Sequence, residues 1–114
     1  MKIGFVGLGQ MGLVMAPHLL RDGWQVTGHD LIEPAEIPAG IAFTASLDDL
    51  VGSDVIITML PDGGVVTSVV DQLITAGCRA RFIDMSSSHP DDSLALAHRL
   101  SPLGLDLVDA PVSG

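Results

Sequence analysis

Gly7, Gly9 and Gly12 fall between a short apolar run, residues 3–6, and a stretch of helical character that begins at Gln10. A Gly-x-Gly-x-x-Gly spacing in that setting has three uses. The first glycine permits a tight strand-to-helix turn, the second leaves the backbone open to a pyrophosphate, and the third lets the helix pack closely on its strand. Backbone N–H groups at the helix start then hold the phosphates, which makes the chain a dinucleotide-binding candidate. The spacing alone is a weak signal, so an acidic residue about 20 positions further on is the second test. Asp30 satisfies it, immediately after the run Gln25–His29.

Short apolar runs alternate with helix-like stretches along the chain. Residues 2–6, 25–29, 55–59, 81–85 and 105–109 suit strands buried on both faces, with a weaker strand at 41–43. Helices are expected over residues 10–21, 47–51, 64–75 and 91–100. Pro90 followed by Asp91 and Asp92 starts the last helix, while Gly23, Gly77 and Gly104 stand where helices should stop. Pro17 lies inside the first helix, where it removes a hydrogen bond and crowds the Leu13 carbonyl at a cost of about 3 kcal/mol, so distortion without termination is expected. The alternation predicts an α/β fold of the Rossmann, doubly wound type: a mainly parallel six-stranded sheet, ordered 3-2-1-4-5-6, with helices on both faces. Ligands collect at the carboxyl ends of such strands. The segments that follow strands here are the glycine loop, Asp30, residues 60–64, Ser86-Ser87-Ser88 and residues 110–114.

The 114 residues fit one domain. A content of 47% apolar and 17% charged residues, with a mean hydropathy of +0.49, implies that some apolar surface awaits a partner domain. A net charge of −9 repels a phosphate backbone and no Lys/Arg cluster offsets it, which excludes nucleic acid as a partner. No apolar stretch reaches the roughly 18 residues of a membrane span. The single cysteine, Cys78, forms no disulfide framework, so the expected setting is a reducing, cytoplasmic one, with Cys78 an ordinary loop thiol. His18, His29, His89 and His98 show no metal-ligand spacing, and no metal site is expected.

Four segments together are similar to one family. Gly7-Leu8-Gly9-Gln10-Met11-Gly12 with Met15-Ala16 and Leu19-Leu20, then Met59-Leu60-Pro61, then Ile83-Asp84-Met85-Ser86-Ser87, then Asp109-Ala110-Pro111-Val112-Ser113-Gly114 resemble, in order, the signatures of the β-hydroxyacid dehydrogenases, the 3-hydroxyisobutyrate dehydrogenase family. The resemblance spans almost the whole chain but covers only that family's nucleotide-binding domain. It implies that the glycine loop, with Leu8, Gln10 and Met11, holds the pyrophosphate of a nicotinamide cofactor and that Asp30 accepts from the adenine ribose. It further implies that Leu60 and Pro61 flank the cofactor, that Ser87 contacts it, and that Ser113 and Gly114 contact the carboxylate of a small hydroxyacid substrate. Two positions depart from the family pattern. His18 stands where the family often has Asn, and Val65 replaces a cofactor-binding Asn.

In the family's reaction a nicotinamide carries the hydride while a lysine exchanges a proton with the substrate, and that lysine belongs to a following helical domain. Lys2 is the one lysine here; opening the first strand, it lies roughly 16 Å from the ligand edge at about 3.3 Å per residue, too far for that role. The expectation is a cofactor domain, residues 1–114, whose helical catalytic and dimerisation domain is absent, so that this chain alone carries no catalytic residue and is inactive. The full-length protein is expected to be a homo-oligomer through that domain. No Lys or Arg occurs between Arg21 and Arg79, leaving no cation for a 2′-phosphate, and NAD is expected over NADP. Plainer roles stand beside these: Asp30 as a solvated turn residue, a serine among Ser86-Ser87-Ser88 as a helix cap, and methionines other than Met11 as core filler. Three functional alternatives remain open, namely an imine reductase, a 6-phosphogluconate dehydrogenase relative, and a non-enzymatic NAD(P)-sensing module.

Overall fold

The first apolar run becomes the middle of a sheet. In the computed structural model, which describes residues 1–86 and 89–110, β1 (Lys2–Val6) is flanked by β2 (Gln25–His29) and β4 (Val55–Thr58). Beyond them lie β3 (Ile41–Thr44) on one side and β5 (Arg81–Asp84) and β6 (Leu107–Asp109) on the other. The order β3-β2-β1-β4-β5-β6 is the expected one, and every pairing is parallel. Val6 pairs with both His29 and Thr58, and Thr58 with Asp84, so Gly7, Asp30, Met59 and Met85 emerge together at one edge.

Side-chain alternation divides the core between two faces. Ile3, Phe5, Val26 and Ile57 lie beneath the first helical segment, with Leu8 and Ala16. Val6, Ile56 and Phe82 face the other way, toward α2 (Gly63–Thr75) and α3 (Pro90–Leu100). Val66, Val69, Val70 and Leu73 form the buried stripe of α2, a helix rich in β-branched residues of modest helix propensity that burial must sustain. Asp62 caps it, accepting from the Val65 N–H at 3.0 Å. In α3, Pro90 occupies the first turn with Asp91 and Asp92, His98 and Arg99 occupy the last, and Leu96 and Leu100 are buried, an arrangement that complements the helix dipole.

Several boundaries differ from expectation for physical reasons. The first helix is not a single α-helix over residues 10–21: α1 covers Gln10–Met15, and the chain continues as a 3-10 helix over Ala16–Asp22. The ring of Pro17 cannot donate to Leu13 and crowds its carbonyl, and the winding tightens instead of stopping until Gly23 (φ 75°) ends it. Residues 47–50 likewise form a 3-10 turn. The last strand begins at Leu107, not residue 105, because Leu105 donates to the Leu100 carbonyl in the turn that closes α3 and buries its side chain in the core. Cys78 does lie in the loop between α2 and β5, but its side chain belongs to the core, 1% exposed. The cap of α3 is His89, whose Nδ1 accepts from the Asp91 N–H at 3.1 Å. Met15, Met59 and Met85 do pack against the core, whereas Met1 and Met11 are exposed.

Candidate dinucleotide cleft

The glycine loop uses its three glycines differently. Gly7 has φ 105°, and a Cβ there would stand 2.1 Å from the Met59 carbonyl oxygen, so only glycine fits between β1 and β4. A Cβ on Gly12 would stand 2.2 Å from the Gly7 carbonyl oxygen, which fixes the closeness of α1 to the turn. At Gly9 a Cβ would meet nothing within 4 Å. The backbone is bare on that side. Gly9 is also the N-cap of α1 and supplies no side-chain acceptor, whereas α2 and α3 are capped by Asp62 and His89.

Asp30 is half-buried and fixed from both sides. Its Oδ2 accepts from the Leu8 N–H at 2.9 Å and its Oδ1 from the Leu31 N–H at 2.8 Å. It is therefore no solvated turn residue, since it ties the end of β2 to the glycine loop. Each carboxylate oxygen keeps a further lone pair for a ligand hydroxyl. Leu8 takes part through this N–H and through its buried side chain, which lies so close over Gly28 that a Cβ there would be 2.7 Å from it. Gln10 and Met11 are exposed at the start of α1.

A cleft of about 580 Å³ opens between Gly7, Asp30 and the β4–α2 connection, within the usual size of a small-molecule site; Leu8, Gly9, Gln10, Met11 and Gly12 stand outside its lining. Gly7, Asp30, Leu60 and Pro61 all line it, joined by His29 and Val65. The lining holds no Lys or Arg. The described cations are engaged or placed elsewhere: Arg81 pairs with Asp106, Arg99 with Asp71, Arg79 donates to the Leu103 carbonyl, and Arg21 is exposed in the last turn of the 3-10 helix, outside the lining. Lys2 borders a separate hollow at the opposite end of β1 with Gln25 and Ser53. Ser87, Ser113 and Gly114 lie outside the described residues.

Sequence reasoning missed what holds the Leu60-Pro61 corner in place. Ser86 is buried, and its Oγ accepts from the Leu60 N–H at 2.8 Å. Buried Asp84 in turn accepts from the Ser86 N–H and from Thr58 Oγ1, each at 3.0 Å. The network locks the end of β4 to the end of β5. A carboxylate that ends a strand directly after apolar Phe82 and Ile83 is the one signal in the sequence that could have revealed it. Among the described residues no group of three or more His, Cys, Asp or Glu could hold a metal ion, and no helix is long and apolar enough to cross a membrane.

Comparison with known proteins gives the same picture. 2-(Hydroxymethyl)glutarate dehydrogenase of Eubacterium barkeri is 40% identical over 122 residues, a match covering 99% of this chain and 40% of that protein. The mitochondrial 3-hydroxyisobutyrate dehydrogenase of Drosophila melanogaster is 37% identical over 119 residues, covering 99% and 37%. The structure of Mycobacterium tuberculosis 3-hydroxyisobutyrate dehydrogenase with L-serine matches with a TM-score of 0.83 at 33% identity, over 99% of this chain and 40% of that one. The chain thus spans about two-fifths of the length of the curated relatives it matches. A family model for the NAD binding domain of 6-phosphogluconate dehydrogenase matches residues 2–114. With its sheet order, glycine loop and acidic residue after β2, the chain belongs to that family of NAD binding domains.

Proposed function

We propose that this chain is the cofactor domain of an oxidoreductase that moves a hydride between NAD and a small β-hydroxyacid of the 3-hydroxyisobutyrate kind. The observation that carries the proposal is the meeting, in one cleft, of Gly7 at the start of the glycine loop and the carboxylate of Asp30, which the Leu8 N–H of that loop anchors. The residues fit the cofactor. The loop from Gly7 to Gly12, with Leu8, Gln10 and Met11, takes the pyrophosphate on backbone N–H groups, Asp30 accepts from a ribose, and Leu60 and Pro61 form the wall beside it. Bound there, the nicotinamide ring supplies hydride acceptance and donation. Ser87 belongs to the same cofactor edge, and Ser113 and Gly114 to the substrate.

The cleft favours NAD over NADP, because a 2′-phosphate would meet Asp30 with no cation in the lining to offset it. The proton-transferring lysine is assigned to a helical domain beyond this chain, through which the whole protein forms a homo-oligomer, in keeping with the greater length of the relatives. Calorimetric titration with NAD and NADP tests the cofactor claim: NAD is expected to bind more tightly, and equal or tighter NADP binding refutes it. Incubation of the chain with NAD and 3-hydroxyisobutyrate tests the assignment of the lysine. No NADH is expected, and steady NADH production abolished by Gly9→Ala would overturn it.

A further inference from the structure

The floor of the cleft holds a polar group that the cofactor reading leaves unused. His29 is 6% exposed and lines the cleft one residue before Asp30. Its Nδ1 lies 3.0 Å from the Thr44 carbonyl oxygen. A carbonyl only accepts, so in the neutral imidazole the proton sits on Nδ1 and Nε2 is left as an acceptor. Shifting the proton to Nε2 would set two lone pairs against each other, so Thr44 holds the tautomer. Among the described residues Ser93 Oγ is the one sealed side-chain polar atom without a partner. Nε2 makes no hydrogen bond there either, and it therefore keeps contact with solvent, which His29 meets at the cleft.

The cleft beside this acceptor is mostly apolar, and the polar Ser68 and Gln72 of its lining are hydrogen-bonded to each other. Leu47 stands on one side and Val65 and Val69 of α2 on the other. A slot with mostly apolar walls and a fixed imidazole acceptor suits a planar heterocycle that brings a donor edge. On the dinucleotide reading, a ribose held by Asp30 would set its base within reach of His29, the preceding residue of the same lining. A 6-aminopurine presents an exocyclic N–H donor, whereas a 6-oxopurine presents an acceptor at the same position. Resting on the dinucleotide reading above, we propose that His29 Nε2 accepts from the exocyclic amine of the purine and makes the cleft selective for 6-aminopurine over 6-oxopurine dinucleotides. A site built to hydrogen-bond a group rejects the analogue that lacks it more strongly than an apolar pocket does.

The test is calorimetric titration of the chain with NAD and with nicotinamide hypoxanthine dinucleotide, which carries a 6-oxopurine. The hypoxanthine analogue is expected to bind about tenfold more weakly, as one lost hydrogen bond with two opposed acceptors implies. In His29→Phe the ratio should fall below about twofold, and in His29→Gln, whose amide both donates and accepts, it should fall likewise. A role in packing alone would weaken both ligands together and leave the ratio unchanged. If His29→Phe fails to fold by circular dichroism, the Gln variant supplies the ratio. Equal affinities in the unmodified chain, or a tenfold ratio that persists in the variants, overturn the assignment of His29 and leave the NAD reading intact. Failure of both dinucleotides to bind overturns the NAD reading and this inference with it.

Discussion

Replacing Gly9 by alanine should separate binding from folding, which the same change at Gly7 or Gly12 should not. Gly9 has φ −70° and ψ −171°, a conformation open to any residue, and its Cβ would touch nothing within 4 Å. Two small effects oppose each other in the folded state. Alanine restricts the unfolded chain, worth about 0.4–1 kcal/mol, but is a poorer N-cap than glycine by a similar amount. The net change should stay within about 1 kcal/mol. For 114 residues the unfolding entropy is about 0.24 kcal/mol per degree, so Tm should move by no more than about 4 °C. At Gly7 the methyl would meet the Met59 carbonyl at 2.1 Å from a left-handed backbone, and at Gly12 the Gly7 carbonyl at 2.2 Å. Strain and overpacking of about 3 kcal/mol or more are expected at each, a loss of roughly 12 °C. Affinity should follow a different order. A methyl on the bare face of Gly9 displaces the pyrophosphate from one or two charge-assisted hydrogen bonds of about 1.5 kcal/mol each, weakening NAD about ten- to a hundredfold. Thermal unfolding by circular dichroism and calorimetric titration of the three variants would decide it. Unchanged NAD affinity in Gly9→Ala, or a Tm loss matching that of Gly12→Ala, would refute the division of labour among the glycines.

Ser86→Ala leaves the part-buried Leu60 N–H without its acceptor, so a loss of about 1 kcal/mol in urea unfolding is expected, together with severalfold weaker NAD binding as the Leu60-Pro61 corner loosens. Asp30→Asn keeps one acceptor for the two N–H donors and removes the charge; it should weaken NAD while narrowing the gap to NADP, a pattern read from the ratio of the two affinities. Arg99→Ala breaks an exposed ion pair with Asp71, and less than about 1 kcal/mol should be lost, a change that salt titration of the unmodified chain should mimic.

The sheet was legible because parallel strands covered on both faces leave continuous apolar runs, and because a glycine loop after the first run marks it as central. Helix type was not legible. An i, i+3 apolar spacing serves a 3-10 winding and an α-helix alike, so the change at Ala16 needed the structure, although Pro17 announced some disturbance. The start of β6 was misplaced because Leu105 looks like a strand residue while its N–H is spent on closing α3. Within the cleft, Gly7, Asp30, Leu60 and Pro61 could be named from local pattern and do come together. Their supports could not be named. Ser86 and Leu60, Asp84 and Thr58, and Asp30 and Leu8 meet only across parallel strands, at separations of 26, 26 and 22 residues that no local pattern encodes.

The central place of β1 also has a consequence for how the chain assembles. Lys2 finds its partner Gln25 after 23 residues, but Ile3 waits 52 residues for Val55. Closing the longer loop costs only about 0.7 kcal/mol more, yet it joins two halves that each bring their own helices. The first half, β1 to β3, carries Asp30; the second, from β4 onward, carries Val65 and Val69. The cleft lies along the junction between them. A dinucleotide lodged there grips both halves and acts as a fastener, adding about 2.7 kcal/mol to the folded state at a hundred times its Kd. Partial opening along the β1–β4 junction, and the proteolysis that follows such opening, are therefore held in check by the same molecule that the cleft is shaped to bind.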